Sequence, residues 1–216
     1  MIVYLNGELL PKDQARVSVF DRGFVFGDGV YEGLRSVPRQ EGSGTRIIGL
    51  GGHQQRMAEG LREAGIEWDV RTLGVESERL LAANGMRDAF VYWQVTRGTP
   101  GEGMPVRQRV PSKGMRPTAF AYCSPQPTLD AIEKAGPVGK SAVAIRDIRW
   151  EMGRLKSISL MGNVWSAMRA DAMGAEDAVL LRGGEEGLVG EGLATNVIIV
   201  TDKGEVCTPS LESVPI

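Results

Sequence analysis

Two prolines in six residues, in the stretch CSPQPT at 123–128, divide the chain more sharply than any other feature. Proline lacks a backbone donor and opposes both a helix interior and a central strand. We therefore expect a linker over 123–128, an N-terminal α+β domain over 1–122 and a second domain over 129–216. Strand-forming and helix-forming segments are mixed on both sides without regular β-α-β alternation. The expected fold class is accordingly a two-lobed α+β protein rather than a doubly wound sheet.

The local patterns support that division. IVYLNGELL carries β-formers on both sides of Asn6-Gly7, a pair suited to the positive φ values of a two-residue hairpin turn. FDRGFVFGDGVYEGLRSV reads as a glycine-punctuated approach to a strand, on which Tyr31, Gly33 and Arg35 share one face. HQQRMAEGLREAG sets Met57, Leu61 and Ala64 on one helical stripe that stops at Gly65, and VESERLLAAN predicts a second helix ending at Gly85. AFVYWQVTRG and TAFAYC read as buried strands by their β-branched and aromatic content. Beyond the prolines we expect a strand at SAVAIRDI, a helix over Ser159–Met173, strands at DAVLLR and TNVIIV, and a hairpin at TDKGEV.

Composition narrows the chemistry. A formal charge of −2 gives no basic excess of the kind a nucleic-acid binder needs. No apolar run approaches the length of a membrane span, and MIVYLNGELL lacks a secretory pattern, so a cytoplasmic protein is expected. Two distant cysteines, Cys123 and Cys207, are expected to be core thiols rather than a disulfide or a zinc site. The lone His53 rules out a multi-histidine metal site, and no metal is expected. Attention shifts to chemistry that lysine, tyrosine or a cofactor can carry.

Lysine is scarce, occurring only at 12, 113, 134, 140, 156 and 203. Lys156 differs from the rest by lying beside SISLMGNVWSAM, whose small and apolar residues suggest a partly buried amine. The residues alone leave it either a structural lysine snorkelling from an apolar surface or a reacting amine. Likewise Glu191 in GEGLATN could be a turn carboxylate, and Arg56 in HQQR an ordinary helix arginine.

Taken together, RDIRWEMGRLKS, GAEDAVLL, VGEGLATNVIIV and CTP resemble the second domain of class IV aminotransferases, the fold type IV pyridoxal phosphate enzymes. DRGFVFGDGVYEG, HQQR and VYWQVTRGT resemble their first domain, in the same order, so the similarity spans nearly the whole chain. DRGFVFGDGVYE and DIRW are most similar to D-amino-acid transaminases. The resemblance implies that Lys156 holds pyridoxal 5'-phosphate and shuttles a proton, which suits an amine able to act as nucleophile and then as base. It implies that Glu191 pairs with the pyridine nitrogen, Arg56 with the phosphate through its bidentate fork, and Thr195 with the phosphate surroundings. It places Arg149 near the cofactor phenolate oxygen and Tyr31 in the substrate pocket, and gives His53 no catalytic part. The implied partners are a small amino donor and a 2-oxo acid acceptor, and the implied assembly is a homodimer.

The resemblance also has departures. Usual D-amino-acid transaminases carry an arginine and a histidine after the VTRG strand to trap the substrate carboxylate, where this chain has Glu102 and Met104. Arg35 beside Tyr31 is the expected replacement, with Arg107 and Arg109 in reserve. Met161 stands where branched-chain enzymes have a tyrosine. The chain reaches LESVPI without the Gly-Ile-Thr turn that the family uses for the phosphate, so the second lobe is expected to be incomplete here and to hold the cofactor poorly. The expected activity is transfer from a D-amino acid. The alternatives are a branched-chain or R-selective amine transaminase, an aminodeoxychorismate lyase and an inactive scaffold.

Overall fold

The structure is a computed structural model that describes residues 1–40, 42, 44–149, 155–183 and 187–210. Part of the RDIRWEMGRLKS motif, residues 150–154, and the terminal LESVPI, residues 211–216, lie outside the described residues. The chain forms two compact units. One comprises Met1–Gly136 with Lys156–Ser159, the other Pro137–Leu155 with Leu160–Ile216.

The first unit is built on an antiparallel six-stranded sheet, formed by β1 (Ile2–Leu5), β2 (Glu8–Pro11), β3 (Gly29–Pro38), β4 (Thr45–Ile47), β5 (Ala89–Thr96) and β6 (Thr118–Pro125). Its order is β2-β1-β6-β5-β3-β4. The Asn6-Gly7 turn forms as expected, with φ of 51° and 99°, and pairs Leu5 with Glu8. Along β5 the two-residue period holds from Ala89 to Val95: Ala89, Val91, Trp93 and Val95 are fully buried, while Phe90, Tyr92 and Gln94 alternate on the other face.

Two amphipathic helices cover the buried face, α2 (Leu50–Ala64) and α3 (Thr72–Ala83). Met57 and Leu61 of α2, with Leu73, Leu80 and Leu81 of α3, complete the core around Trp93. The indole N–H of Trp93 donates to Ser77 Oγ at 2.8 Å, so the largest core side chain leaves no unpaired polar atom. A short helix, α1 (Arg22–Phe26), precedes β3 inside the stretch read from sequence as an irregular approach. Asp21 caps it by accepting from Gly23 N, a local hydrogen bond too short in range to leave a periodic signature. Another, α4 (Leu129–Ala135), follows β6.

The expected linker needs correction at its start. Cys123, Ser124 and Pro125 are the last residues of β6, paired with Val91, Phe90 and Ala89. Proline is tolerated there because the ladder ends at it, and Gln126 N resumes hydrogen bonding to Asp88 O. The division between compact units falls after Gly136, beyond α4.

Asp28, just before β3, binds two arginines: Arg22 Nε at 2.6 Å and Arg97 Nε at 2.8 Å. Arg97 also donates to Gly65 O at the end of α2, and Arg22 to Gln108 O. Burial alone would raise the Asp28 carboxyl, but hydrogen bonds and charge from Arg97 and Arg22 outweigh it and hold it below 3.8. A carboxyl depressed in the fold contributes stability that is complete above its ordinary range and lost as pH falls through the depressed value. Asp28→Asn is expected to lower the melting temperature at pH 7, with the gap to the native protein narrowing below about pH 4 in a thermal-melt series.

The second unit contains β7 (Ala142–Arg146), α5 (Met161–Ala172), β8 (Asp177–Arg182), β9 (Leu188–Val189), β10 (Ile199–Val200) and β11 (Val206–Cys207). β7 and β8 are parallel, which requires a long crossover, and α5 lies within it. The second region thus does contain one β-α-β unit. Its small core is Ile145, Ala170, Ala178 and Leu180. α5 begins two residues later than the expected Ser159. Cys123 is buried as expected, but Cys207 is exposed, because among the described residues β11 pairs only with the equally exposed β10.

Candidate active site

Lys156 is positioned by backbone pairing. The N-terminal part of β3 is bonded to β5 along one edge, and the segment Lys156–Ile158 adds to the other. Tyr31 N donates to Lys156 O at 2.9 Å and Ile158 N to Gly29 O at 3.2 Å, with Val30 opposite Ser157. Gly27 makes room for this segment. It adopts φ of +66° as the C-cap of α1, and a side chain there would lie 2.5 Å from Ser159 Oγ.

This pairing brings the Lys156 amine to the hydroxyl of Tyr31, at 3.3 Å, and 4.4 Å from the centre of its ring. The amine thus sits over the ring face, with the hydroxyl as its hydrogen-bond partner. Lys156 and Tyr31, separated by 125 positions, are thus two of the predicted site residues that the fold joins.

Arg56 projects from α2 onto Glu32 of β3. Its Nε and Nη2 meet the two carboxylate oxygens at 2.6 and 2.7 Å, and His53 Nδ1 lies 2.9 Å from Oε2. The hydrogen bonds it donates to Glu32 raise the Arg56 guanidinium above its ordinary value, against the opposing effect of burial. Glu32 is fully buried, whereas about half of the Arg56 side chain is exposed (49%). One edge of the guanidinium is therefore anchored and the rest faces outward. Glu32 was not singled out from the sequence. The available signal was its phase, since a carboxylate between Val30 and Leu34 falls on the core face of the strand.

In the second unit Arg149 and Glu191 are brought into contact. Arg149 Nη1 donates to Glu191 Oε1, while its Nε and Nη2 bind both oxygens of Asp147, at 3.0 and 2.9 Å. Glu191 is set by main-chain pairing, with Leu180 N donating to its carbonyl at 2.9 Å. Burial would raise Asp147, but the bonds from Arg149 outweigh it and lower the carboxyl. Thr195 Oγ1 donates to Asp177 Oδ2 at 3.3 Å, and Asp177 also accepts from Leu193 N. Burial raises Asp177 while the bonds from Ala178, Leu193 and Thr195 lower it, with a net downward shift.

The pairing of Arg35 with Tyr31 in a carboxylate trap is not what the strand provides. Arg35 shares the face, but its guanidinium donates to Pro127 O and lies 3.4 Å from Asp88 Oδ1. It stands four positions along the strand from Tyr31, roughly 13 Å of rise, and its side chain is held by a carboxylate of its own. Arg35 fastens β3 to the chain after β6 instead. Among the described residues no group of three or more histidine, cysteine or acidic side chains could hold a metal, and no helix is long and apolar enough to cross a membrane.

The family pattern of amino-transferase class IV matches residues 29–215. The chain is 33% identical over 201 residues to a D-alanine aminotransferase of Bacillus licheniformis, covering 92% of this chain and 65% of that protein. It is 30% identical over 202 residues to one of Staphylococcus epidermidis, covering 93% and 66%. The chain thus spans just under two thirds of the length of these relatives. Among solved structures, a branched-chain aminotransferase from Thermoproteus uzoniensis, determined with norvaline, superposes with a TM-score of 0.79 at 24% identity, covering 99% of this chain and 69% of that one. A hypothetical aminotransferase from Mycobacterium tuberculosis in its PLP-bound form gives 0.73 at 24% identity, covering 97% and 71%. These structural likenesses carry the fold.

Proposed function

The chain belongs to the class IV aminotransferases, and from that premise we propose that the protein is a pyridoxal 5'-phosphate-dependent transaminase moving an amino group from a D-amino acid to a 2-oxo acid. The observation that carries this reading is the Lys156 amine, placed against Tyr31 by its own strand pairing. The donor configuration rests on the names of the curated relatives, which are D-alanine aminotransferases.

The residues present fit the cofactor in their chemistry. Among the described residues the Lys156 amine meets a hydroxyl and a ring rather than a carboxylate, and a primary amine is the side chain suited to attack an aldehyde. Arg56 presents the outward part of an anchored guanidinium, suited to a phosphate monoester. Glu191, fixed by Arg149, is assigned to the pyridine nitrogen. Arg149 is assigned to the phenolate side of the ring and Thr195 to the phosphate surroundings. When bound, pyridoxal phosphate supplies an aldehyde for amine exchange and a pyridine ring that takes up carbanion electrons.

The work left to the chain is then definite. With the cofactor bound, Lys156 would take the proton from the donor carbon and deliver it to the carbon that carried the cofactor's aldehyde, because a base must lie within hydrogen-bond reach of the proton it moves. Tyr31 holds the amine in place between those steps through its hydroxyl. The working assembly on this reading is a cytoplasmic homodimer.

The test is a matched donor series with 2-oxoglutarate as acceptor. We expect D-alanine to exceed both L-alanine and L-leucine by at least about tenfold in kcat/KM, which corresponds to roughly 1.4 kcal/mol in the transition state. Faster transfer from L-leucine would overturn the donor configuration, and transfer from no donor would overturn the activity.

A further inference from the structure

Four aromatic side chains form a ladder that starts at the Lys156 amine. Tyr31 lies under the amine, and its ring centre is 5.7 Å from that of Tyr92 at an interplanar angle of 26°. Tyr92 is 5.3 Å from Tyr122, and Tyr122 is 6.0 Å from Phe120. The four belong to β3, β5 and β6, on the sheet face opposite α2 and α3, and each is only partly buried. Gly33 lies opposite Tyr92 and adds no side chain to this surface, since a Cβ there would lie 2.7 Å from Phe90 Cε2. At its far end the ladder meets a mostly apolar hollow of about 430 Å³, lined by Phe120, Tyr122, Val3 and Leu5 among others, with Lys12 at its wall.

Two polar groups that a donor side chain could meet here have partners within the chain. The Tyr92 hydroxyl donates to Gln94 Oε1 at 2.9 Å, and burial, with smaller contributions from Tyr31 and Tyr122, pushes its pKa up to about 12, so it remains a neutral phenol. Arg35, the cation expected on this face, is held by Asp88 and Pro127 O. A second carboxylate on a donor side chain beside Tyr31 and Tyr92 would therefore be placed against ring faces, whose quadrupole repels an anion, while Lys156, the cation over the Tyr31 ring, is needed for the reaction. A flat apolar side chain would meet offset and tilted rings at the spacings that aromatic pairs favour.

From this arrangement we infer that the Tyr31–Tyr92–Tyr122–Phe120 ladder is the side-chain subsite of the enzyme, and that its preferred donors carry an aromatic or flat apolar side chain rather than an acidic one. The inference rests on the reading of Lys156 as the reacting amine. It assigns Tyr92 as a specificity-determining residue.

The sequence contains four tyrosines, at 4, 31, 92 and 122, which makes fluorine NMR of 3-fluorotyrosine-labelled protein a direct test. Tyr4 packs on Trp93 in the core and serves as an internal reference. With pyridoxal phosphate present, the protein is titrated with 3-phenylpropionate and with glutarate, the amine-free counterparts of an aromatic and an acidic donor. The expected result is saturable movement of the Tyr31 and Tyr92 resonances at an at least tenfold lower concentration of 3-phenylpropionate than of glutarate, with Tyr4 unmoved and the preference lost in Tyr92→Leu. Equal responses to the two acids, or none, would overturn the subsite. So would movement with protein concentration alone, which would make the ladder a face between two copies of the chain. Borohydride fixation is scored separately: labelling at Lys156 without an aromatic preference removes the subsite and leaves the transaminase reading standing. An aromatic preference without labelling at Lys156 removes that reading and the donor assignment with it.

Discussion

Lys156→Ala is expected to reduce amino transfer by about a thousandfold or more, because one substitution removes both the nucleophile and the proton-moving base, and positioned acid-base groups alone contribute about 10²- to 10⁴-fold. Lys156→Arg should be nearly as damaging. It can retain a cation over the Tyr31 ring, but a guanidinium does not give up its proton in proteins and cannot attack an aldehyde. The control for location is borohydride reduction with pyridoxal phosphate followed by peptide mass spectrometry. Of six lysines, the pyridoxyl group should be fixed on Lys156. Modification of Lys140, or of any other lysine with Lys156 untouched, would overturn the assignment. Both variants should keep the melting temperature within about 2 °C of the native protein, since the backbone pairing of Lys156 with Tyr31 uses main-chain atoms that the substitutions leave intact.

What sequence could reveal followed the range of the interaction. The Asn6-Gly7 hairpin, the Met57–Leu61 stripe of α2 and the alternation along β5 were legible because each is decided within a few residues. α1 was not, since its five residues carry no hydrophobic period and its cap is a single aspartate. CSPQPT looked like a linker because proline dominates it, yet Cys123 faces the core and its ladder partner Val91 lies more than thirty residues away. The resemblance singled out Lys156 and Tyr31, but only the strand addition at the edge of β3 puts the amine on the ring. Arg35 shows the opposite error: two-residue periodicity placed it correctly on the face of Tyr31, and a distant aspartate decided what it does there.

Arg56→Ala is expected to be the most destabilising of the site substitutions. Glu32 has no exposed surface, and Arg56 supplies two of its hydrogen bonds with His53 at the third. Removing one partner of a buried ion pair leaves an uncompensated charge and costs about 3 to 5 kcal/mol. The value here should fall at or below the lower end, about 2 to 3 kcal/mol, because half of the Arg56 side chain is in water and the remaining carboxylate can draw on His53 and solvent. Urea denaturation should report this as a lower midpoint with an unchanged slope. The same substitution should weaken pyridoxal phosphate binding, and the two effects can be separated. In Glu32→Leu/Arg56→Met both charges are replaced by apolar groups of similar size, a change that is often close to neutral in stability, so most of the lost midpoint should return. Cofactor affinity should not return, because the phosphate has lost its guanidinium. Pyridoxal lacking the phosphate should bind the native protein and the double variant alike. If stability and phosphate affinity are restored together, Arg56 acts only by balancing Glu32, and the phosphate must be held by other residues.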